Sequence, residues 1–189
     1  MEDLSAYDLL EVAYRDLDTD ILKQAIARGA DLNLSCDETH WGIYTLLEPF
    51  SVDPIWVYTD ETQGPWFENK NKVKEMISTA LENGLTINEC FDENGDVYYP
   101  ILYFLLYSPD DLEFVDWLID RGFDPVNRYS EISQFEELAG VLEDYINDGD
   151  DHCRWLVKLS KHLMERFPAL HLQYDYNRLL EMENKLSSQ

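Results

Sequence analysis

The stretch that decides the fold is residues 27–33, ARGADLN. It follows residues 20–27 (DILKQAIA), in which the apolar side chains recur at the spacing of one helix face. Gly29 stands where that pattern stops, and glycine readily adopts the left-handed backbone conformation that ends many helices. The stretch therefore predicts a helix that ends at Gly29 and a turn that runs on to Asn33.

The same arrangement occurs twice more along the chain. Residues 73–81 (VKEMISTAL) and 112–119 (LEFVDWLI) are also apolar at helical spacing, and a glycine follows each of them. Each glycine is followed by a small polar residue at the second position and by asparagine at the fourth or fifth. We name these turns the first stop (29–33, GADLN), the second stop (84–88, GLTIN) and the third stop (122–127, GFDPVN). Such recurrence predicts a repeat protein.

The repeated turn resembles that of the ankyrin repeat family, whose second helix ends in a Gly-Ala-Asp-x-Asn run. Residues 94–96 (NGD) and 99–102 (YPIL) are similar to the family's opening turn and to the start of its first helix. Tyr99 and Leu102 replace the family's threonine and histidine, and the third stop is one residue longer than the family pattern. The resemblance implies stacked helix pairs, with a projecting hairpin after each stop.

The predicted fold is an all-α, ankyrin-like solenoid of about four helix pairs in a single domain, 1–189. Recognisable repeats occupy 1–127 and contain a long insertion near 51–71, while 128–189 form atypical C-terminal capping helices. The cap is expected because a terminal repeat has no neighbour to bury its outer face.

The insertion separates the two helices of the second repeat. A first helix is predicted over 41–50 and a second from Asn71 onward. Pro54 and the pair Gly64-Pro65 between them are expected to break any helix. A segment of this length either packs against the solenoid or contacts a partner.

Net charge is the strongest compositional feature. The chain has 14 basic and 39 acidic residues, a formal charge of −25. Residues 86–124 contain ten acidic residues against Arg121 alone, and 131–151 contain eight with no basic residue, whereas 152–189 carry a small excess of bases. Such a surface favours a basic partner and disfavours direct binding of nucleic acid, which needs basic patches. The alternative is that the charge serves only solubility or adaptation to salt.

Localisation is predicted from three features of the chain. The N-terminus lacks the basic start and apolar core of a signal peptide. No apolar run approaches the roughly 20 residues that span a bilayer. The three widely spaced cysteines are typical of reduced thiols. We expect a cytoplasmic protein with no membrane partner.

Catalytic and metal-binding patterns are incomplete. Asp92, Asn94 and Asp96 match three positions of a calcium loop, but the required glycine and the closing glutamate are missing. Cys36 and His40 lack the second pair that a zinc site needs. We predict no metal, no cofactor, no small-molecule substrate and no enzymatic activity; a cysteine enzyme with distant partner residues stays the alternative.

The resemblance implies that partners bind to the turns after each stop and to exposed positions of the first helices. Acidic side chains interleaved with aromatic ones suit a basic target, because carboxylates pair with Arg and Lys while aromatic rings provide rigid anchors. The alternative for the aromatic residues is the core. The predicted partner-binding residues are Asp37, Glu38, Trp41, Tyr44, Tyr58, Asp60, Glu61, Trp66, Asp92, Glu93, Asp96, Tyr98 and Tyr99.

These observations predict a non-catalytic protein-binding module. Its acidic surface would bind and inhibit a basic partner, such as a nuclease toxin or a nucleic-acid-binding enzyme; in charge and size the chain is similar to bacterial immunity proteins. One alternative is a general ankyrin-type scaffold or host-directed effector whose charge serves solubility only. Another is an inhibitor that mimics DNA through carboxylates at phosphate-like spacing.

Overall fold

A computed structural model describes residues 4–33, 35–37, 40–41, 44–47, 50, 60–91, 97–108, 110–126, 134–148, 153–172 and 174–187. The structure is mainly helical, as predicted. The helices are α1 (Ala6–Asp16), α2 (Thr19–Ala27), α3 (Tyr44–Leu47), α4 (Asp60–Glu82), α5 (Pro100–Tyr107), α6 (Leu112–Ile119), α7 (Gln134–Asp148), α8 (Cys153–Arg166) and α9 (Tyr176–Ser187), with a 3₁₀ helix at Pro168–Leu172. None of the helices within the described ranges combines the length and the apolarity needed to cross a membrane.

Two short antiparallel hairpins interrupt the helices. The first hairpin pairs β1 (Ser35–Asp37) with β2 (His40–Trp41), and the second pairs β3 (Cys90–Phe91) with β4 (Val97–Tyr98). The first follows the first stop and the second follows the second stop.

The three predicted stops share one backbone geometry. Gly29, Gly84 and Gly122 have φ of 93°, 98° and 101°. In each case the residue after the glycine donates its N–H to a carbonyl five residues earlier, at 3.1 Å (Ala30 to Ala25), 3.0 Å (Leu85 to Ala80) and 3.1 Å (Phe123 to Leu118). Each glycine N–H donates to the carbonyl three residues before it. This pair of hydrogen bonds defines the Schellman motif at the end of a helix, so the predicted role of the glycines is confirmed.

The chain divides into two compact units, Met1–Pro109 and Asp110–Gln189. In the first unit α1 packs against α2 and α3, α3 packs against α5, and α2 packs against α4. The first helices of the predicted repeats thus contact each other in order, and so do the second helices of the first two. The boundary between the units falls between the two helices of the third predicted pair, α5 and α6; the single-domain prediction stays a prediction.

The second unit is built around α8, which packs against α7, α9 and the 3₁₀ helix. Its buried face includes Trp155, Leu159 and Leu163. The third stop is joined to the start of α7, where the Phe135 N–H donates to the Pro125 carbonyl at 3.1 Å.

Helix α4 begins earlier than predicted, so part of the expected insertion near 51–71 is helical. It starts at Asp60, not Asn71, and runs through Gly64 and Pro65, which were expected to break it. The physical reason lies in the next residue: Trp66 is buried, and its ring centre lies 5.7 Å from that of Phe50 and 5.3 Å from that of Phe104. Pro65 is the sixth residue of α4, beyond the first turn, so it removes one intrahelical hydrogen bond; burial of the large aromatic ring of Trp66 offsets that cost. Residues 51–59, including Pro54 and Tyr58, lie outside the described residues.

Candidate protein-binding surface

The side chain of Asn33 connects the first stop to the second. Its Nδ2 donates to the Gly84 carbonyl oxygen at 2.9 Å, and its Oδ1 accepts from the Thr86 N–H at 2.7 Å. The Thr86 hydroxyl lies 2.8 Å from Asn33 Oδ1 as well as 2.8 Å from the Glu89 carbonyl, and its single proton can serve either. One amide thus fixes two turns that are more than fifty residues apart in the chain.

The two hairpins start close to this connection. Strand β1 begins two residues after Asn33, and β3 begins directly after Glu89. The register pairs Ser35 with Trp41 in the first hairpin, and Cys90 with Tyr98 in the second. The Asn33 bridge therefore joins the two turns from which the hairpins continue, and we take the two hairpins as the candidate surface.

Several predicted partner-binding residues belong to these elements. Asp37 and Trp41 lie in the first hairpin, Tyr98 lies in the second, and Tyr44 begins α3. Asp60 and Glu61 form the start of α4, away from the hairpin strands in sequence. Predicted residues outside the described part of the chain are Glu38, Tyr58, Asp92, Glu93 and Asp96.

Two of the predicted contact residues are core residues. Trp66 is 1% exposed and Tyr99 is 5% exposed, so neither offers a partner an accessible ring. This burial favours the alternative that both are packing residues, and a partner-binding role for them stays a prediction. Aromatic residue type alone does not say which side of a helix faces the core.

The positive charges that the structure describes are often held by carboxylates of the chain itself. Arg15 Nε lies 2.8 Å from Asp16, Lys161 Nζ lies 2.6 Å from Glu183, and Lys158 Nζ lies 2.5 Å from Asp110. The hydrogen bond from Arg15 holds the pKa of Asp16 below its usual value, and the hydrogen bond to Glu183 raises the pKa of Lys161. Since acids greatly outnumber bases, such pairs leave the remaining carboxylates to dominate the electrostatic field.

A second group of charged residues connects α6 and α8 and was missed by the sequence reasoning. Asp116 Oδ1 lies 2.9 Å from His162 Nε2 and 3.0 Å from Arg166 Nη1, and Arg166 Nη2 lies 3.6 Å from Asp120. The guanidinium carbon of Arg121, on the turn that follows α6, lies 3.8 Å from the centre of the Trp117 ring. No local sequence pattern marks the connection, because Asp116 and His162 are 46 residues apart in the chain. We interpret it as a helix-to-helix contact.

A cleft of about 240 Å³ lies beside α8 and α9. It is lined by Arg154, Val157, Lys158, Glu183 and Leu186. Arg154 Nη2 also approaches the Leu186 carbonyl at 3.4 Å. The charged side chains that line this cleft already bind other groups of the chain: Arg154 binds the Leu186 carbonyl, Lys158 binds Asp110, and Glu183 binds Lys161. We assign no ligand to the cleft.

The described residues contain no group of three or more His, Cys, Asp or Glu side chains placed to hold a metal ion. Residues 92–96, which partly match a calcium loop in sequence, lie outside those residues. Cys153, within α8, is a free and buried cysteine. The structure describes no side-chain environment for Cys36 or Cys90.

Comparison with known proteins yields no match to a family model, to a curated protein or to a solved structure.

Proposed function

We propose that this protein is a non-catalytic, ankyrin-like binding module whose first and second hairpins present an acidic and aromatic surface to a basic protein. The observation that supports the proposal is the Asn33 bridge, which joins the two turns that precede two hairpins of similar construction. The basic partner would be a nuclease toxin or another nucleic-acid-binding protein, and binding would block its positively charged cleft.

The ankyrin-like part of the proposal is supported by the recurrence of one local design. Each of three stops has the same helix ending, and each of the first two is followed by an antiparallel hairpin. Contacts from α1 to α3 and from α3 to α5 are those expected when helix pairs stack in a row.

The basic-partner part is supported by charge. A formal charge of −25 generates an attractive field for a cationic protein and increases its association rate, most strongly at low salt. Aromatic residues of the hairpins would then provide contact area once the partner has docked.

A paired charge reversal tests this proposal. The variant Asp37→Lys with Asp92→Lys changes the two hairpins, while a control, Glu68→Lys with Glu181→Lys, makes the same change in net charge at exposed positions outside the hairpins and the stops. The immobilised proteins would be used to capture partners from the native cell extract at low and high salt.

We expect the parent chain and the control to retain a basic protein at low salt, and the hairpin variant to lose it. Capture of neutral or acidic proteins alone would contradict the proposal. Equal capture by all three proteins would support the alternative of a scaffold whose charge serves solubility only.

A further inference from the structure

We propose that Asn33 is a positioning residue that holds the first and second hairpins as one rigid surface, so that a basic partner contacts both hairpins at once. This inference rests on the proposed function, because it concerns the same surface. It adds that the two hairpins bind as one unit rather than as independent loops.

The backbone of Asn33 is fixed within its own turn. Its N–H donates to Asp31 Oδ1 at 2.9 Å, and the turn itself is closed by the Schellman bonds at Gly29 and Ala30. The side chain of Asn33 therefore extends from an ordered base, which reduces the entropy lost when it bonds to the second stop.

The second stop receives Asn33 at two backbone groups. Gly84 O and Thr86 N are separated by Leu85, which is buried at 7% exposure. Because an amide that both donates and accepts defines a position and an orientation, the two turns are held in a single arrangement. A lone hydrogen bond would permit rotation about itself.

The arrangement extends from the turns to the strands. The Thr86 hydroxyl reaches the carbonyl of Glu89, and Glu89 directly precedes β3. On the other side, β1 begins two residues after Asn33. Three residues separate Thr86 from β3 and one separates Asn33 from β1, so we expect the bridge to limit how the hairpins move relative to each other.

Rigid placement matters most when a partner contacts both hairpins. The second contact is then intramolecular. It increases the affinity most when the two hairpins already have the correct spacing before the partner binds. Loss of the bridge would leave each hairpin able to bind but would reduce the gain from binding both.

The experiment compares Asn33→Ala with Asp18→Ala. Asp18 is a matched control because its carboxylate also accepts two N–H groups, those of Asp20 and Ile21 at 2.9 and 3.0 Å, but both lie in the first turn of α2. Each variant loses side-chain hydrogen bonds in the same compact unit, and only Asn33→Ala loses the connection between stops. Asn33→Asp, which cannot donate to Gly84, provides a milder second variant if Asn33→Ala does not fold.

The first measurement needs no partner. A nitroxide is attached at Asp37→Cys in a background that carries Cys36→Ser and Cys90→Ser, and Cys153 is protected by burial. We expect the label to broaden the amide resonances of β3 and β4 in the parent and in Asp18→Ala, and to broaden them less in Asn33→Ala. Unchanged broadening in Asn33→Ala and in Asn33→Asp would overturn the inference.

The second measurement is the dissociation constant for polyarginine, used as a defined basic probe. We expect Asn33→Ala to bind it roughly tenfold more weakly than Asp18→Ala does, because the second contact no longer gains from fixed spacing. Reduced broadening with equal affinity would overturn the two-point contact. Failure of the proposed function can be told apart from failure of this inference. If the proposed function is wrong, the capture experiment retains no basic protein, but Asn33→Ala still reduces the broadening.

Discussion

The ring centre of Trp66 lies 5.3 Å from that of Phe104, at an interplanar angle of 46°, and this contact joins α4 to α5. Trp66 also meets Phe50 edge to face, so three aromatic side chains form one buried cluster. The neighbouring residue, Phe67, is 51% exposed. Adjacent aromatic residues of one helix thus have opposite environments, and they allow a direct comparison.

Trp66→Ala is expected to destabilise the fold strongly, and Phe67→Ala weakly. Truncation of a buried tryptophan removes its packing and leaves a cavity, which costs about 3 to 5 kcal/mol. Loss of the half-exposed Phe67 ring should cost no more than about 1 kcal/mol. Urea unfolding followed by circular dichroism measures both, and similar losses in the two variants would contradict the burial of Trp66.

Gly84→Ala and Gly140→Ala are expected to change stability in opposite directions. Gly84 has a φ of 98°, and no atom would crowd an added Cβ, so the cost is one of backbone conformation alone, about 1 to 2 kcal/mol. Gly140 lies within α7, also with room for a Cβ, and alanine there should stabilise the helix by about 0.5 to 1 kcal/mol. Thermal unfolding of both variants measures the difference, and a stabilising Gly84→Ala would contradict the helix ending described for the second stop.

Asp8 is expected to contribute to stability only when it is ionised. Its carboxylate accepts the Ser5 N–H at 2.8 Å in the capping box of α1, and hydrogen bonding to Ser5 lowers its pKa from the ordinary value of 3.8. A lowered folded-state pKa means that the contribution is present above the unfolded value and is lost as the pH falls through the folded value.

The test compares the parent with Asp8→Asn as the pH is lowered below 3.8. The difference in stability between the two proteins should shrink in that range. The stability of the parent must be compared with that of the variant at each pH, because protonation of the other carboxylates also relieves charge repulsion in a chain of charge −25. A difference that stays constant with pH would show that the Asp8 carboxylate does not stabilise the helix.

Asp116→Asn is expected to weaken the contact of α6 with α8 only modestly. Asp116 is 37% exposed at its side chain, and its partners His162 and Arg166 are 18% and 41% exposed. Water screens partly exposed ion pairs, so we expect a loss of about 1 kcal/mol or less. A double-mutant cycle with Arg166→Gln measures the coupling, and a value several times larger would mean that the network is shielded from solvent.

Local features of the fold could be predicted from sequence. Gly29, Gly84 and Gly122 ended helices as expected, because a glycine after an apolar periodic segment carries its own structural signal. The start of α4 could not be predicted in this way. Gly64 and Pro65 are local signals for a break, and they were outweighed by burial of Trp66 against residues distant in sequence.

The candidate surface was only partly predictable for the same reason. Residue types pointed to acidic and aromatic turns after the stops, but exposure depends on tertiary packing, and Tyr99 and Trp66 turned out to be buried. Asn33 was recognised as part of a motif, whereas its bonds to Gly84 and Thr86 depend on chain folding over more than fifty residues.

The position of the Asn33 bridge also has a consequence for how this protein can change. The bridge joins the two ends of the interval between the first and second stops, so the spacing of the hairpin bases does not depend on how many residues lie within that interval. The entropic cost of closing such an interval grows only slowly with the number of residues in it, so changes in its length have a small effect on the cost of forming the bridge. The hydrogen bonds between Asn33 and the second stop would keep the two stops aligned through such changes.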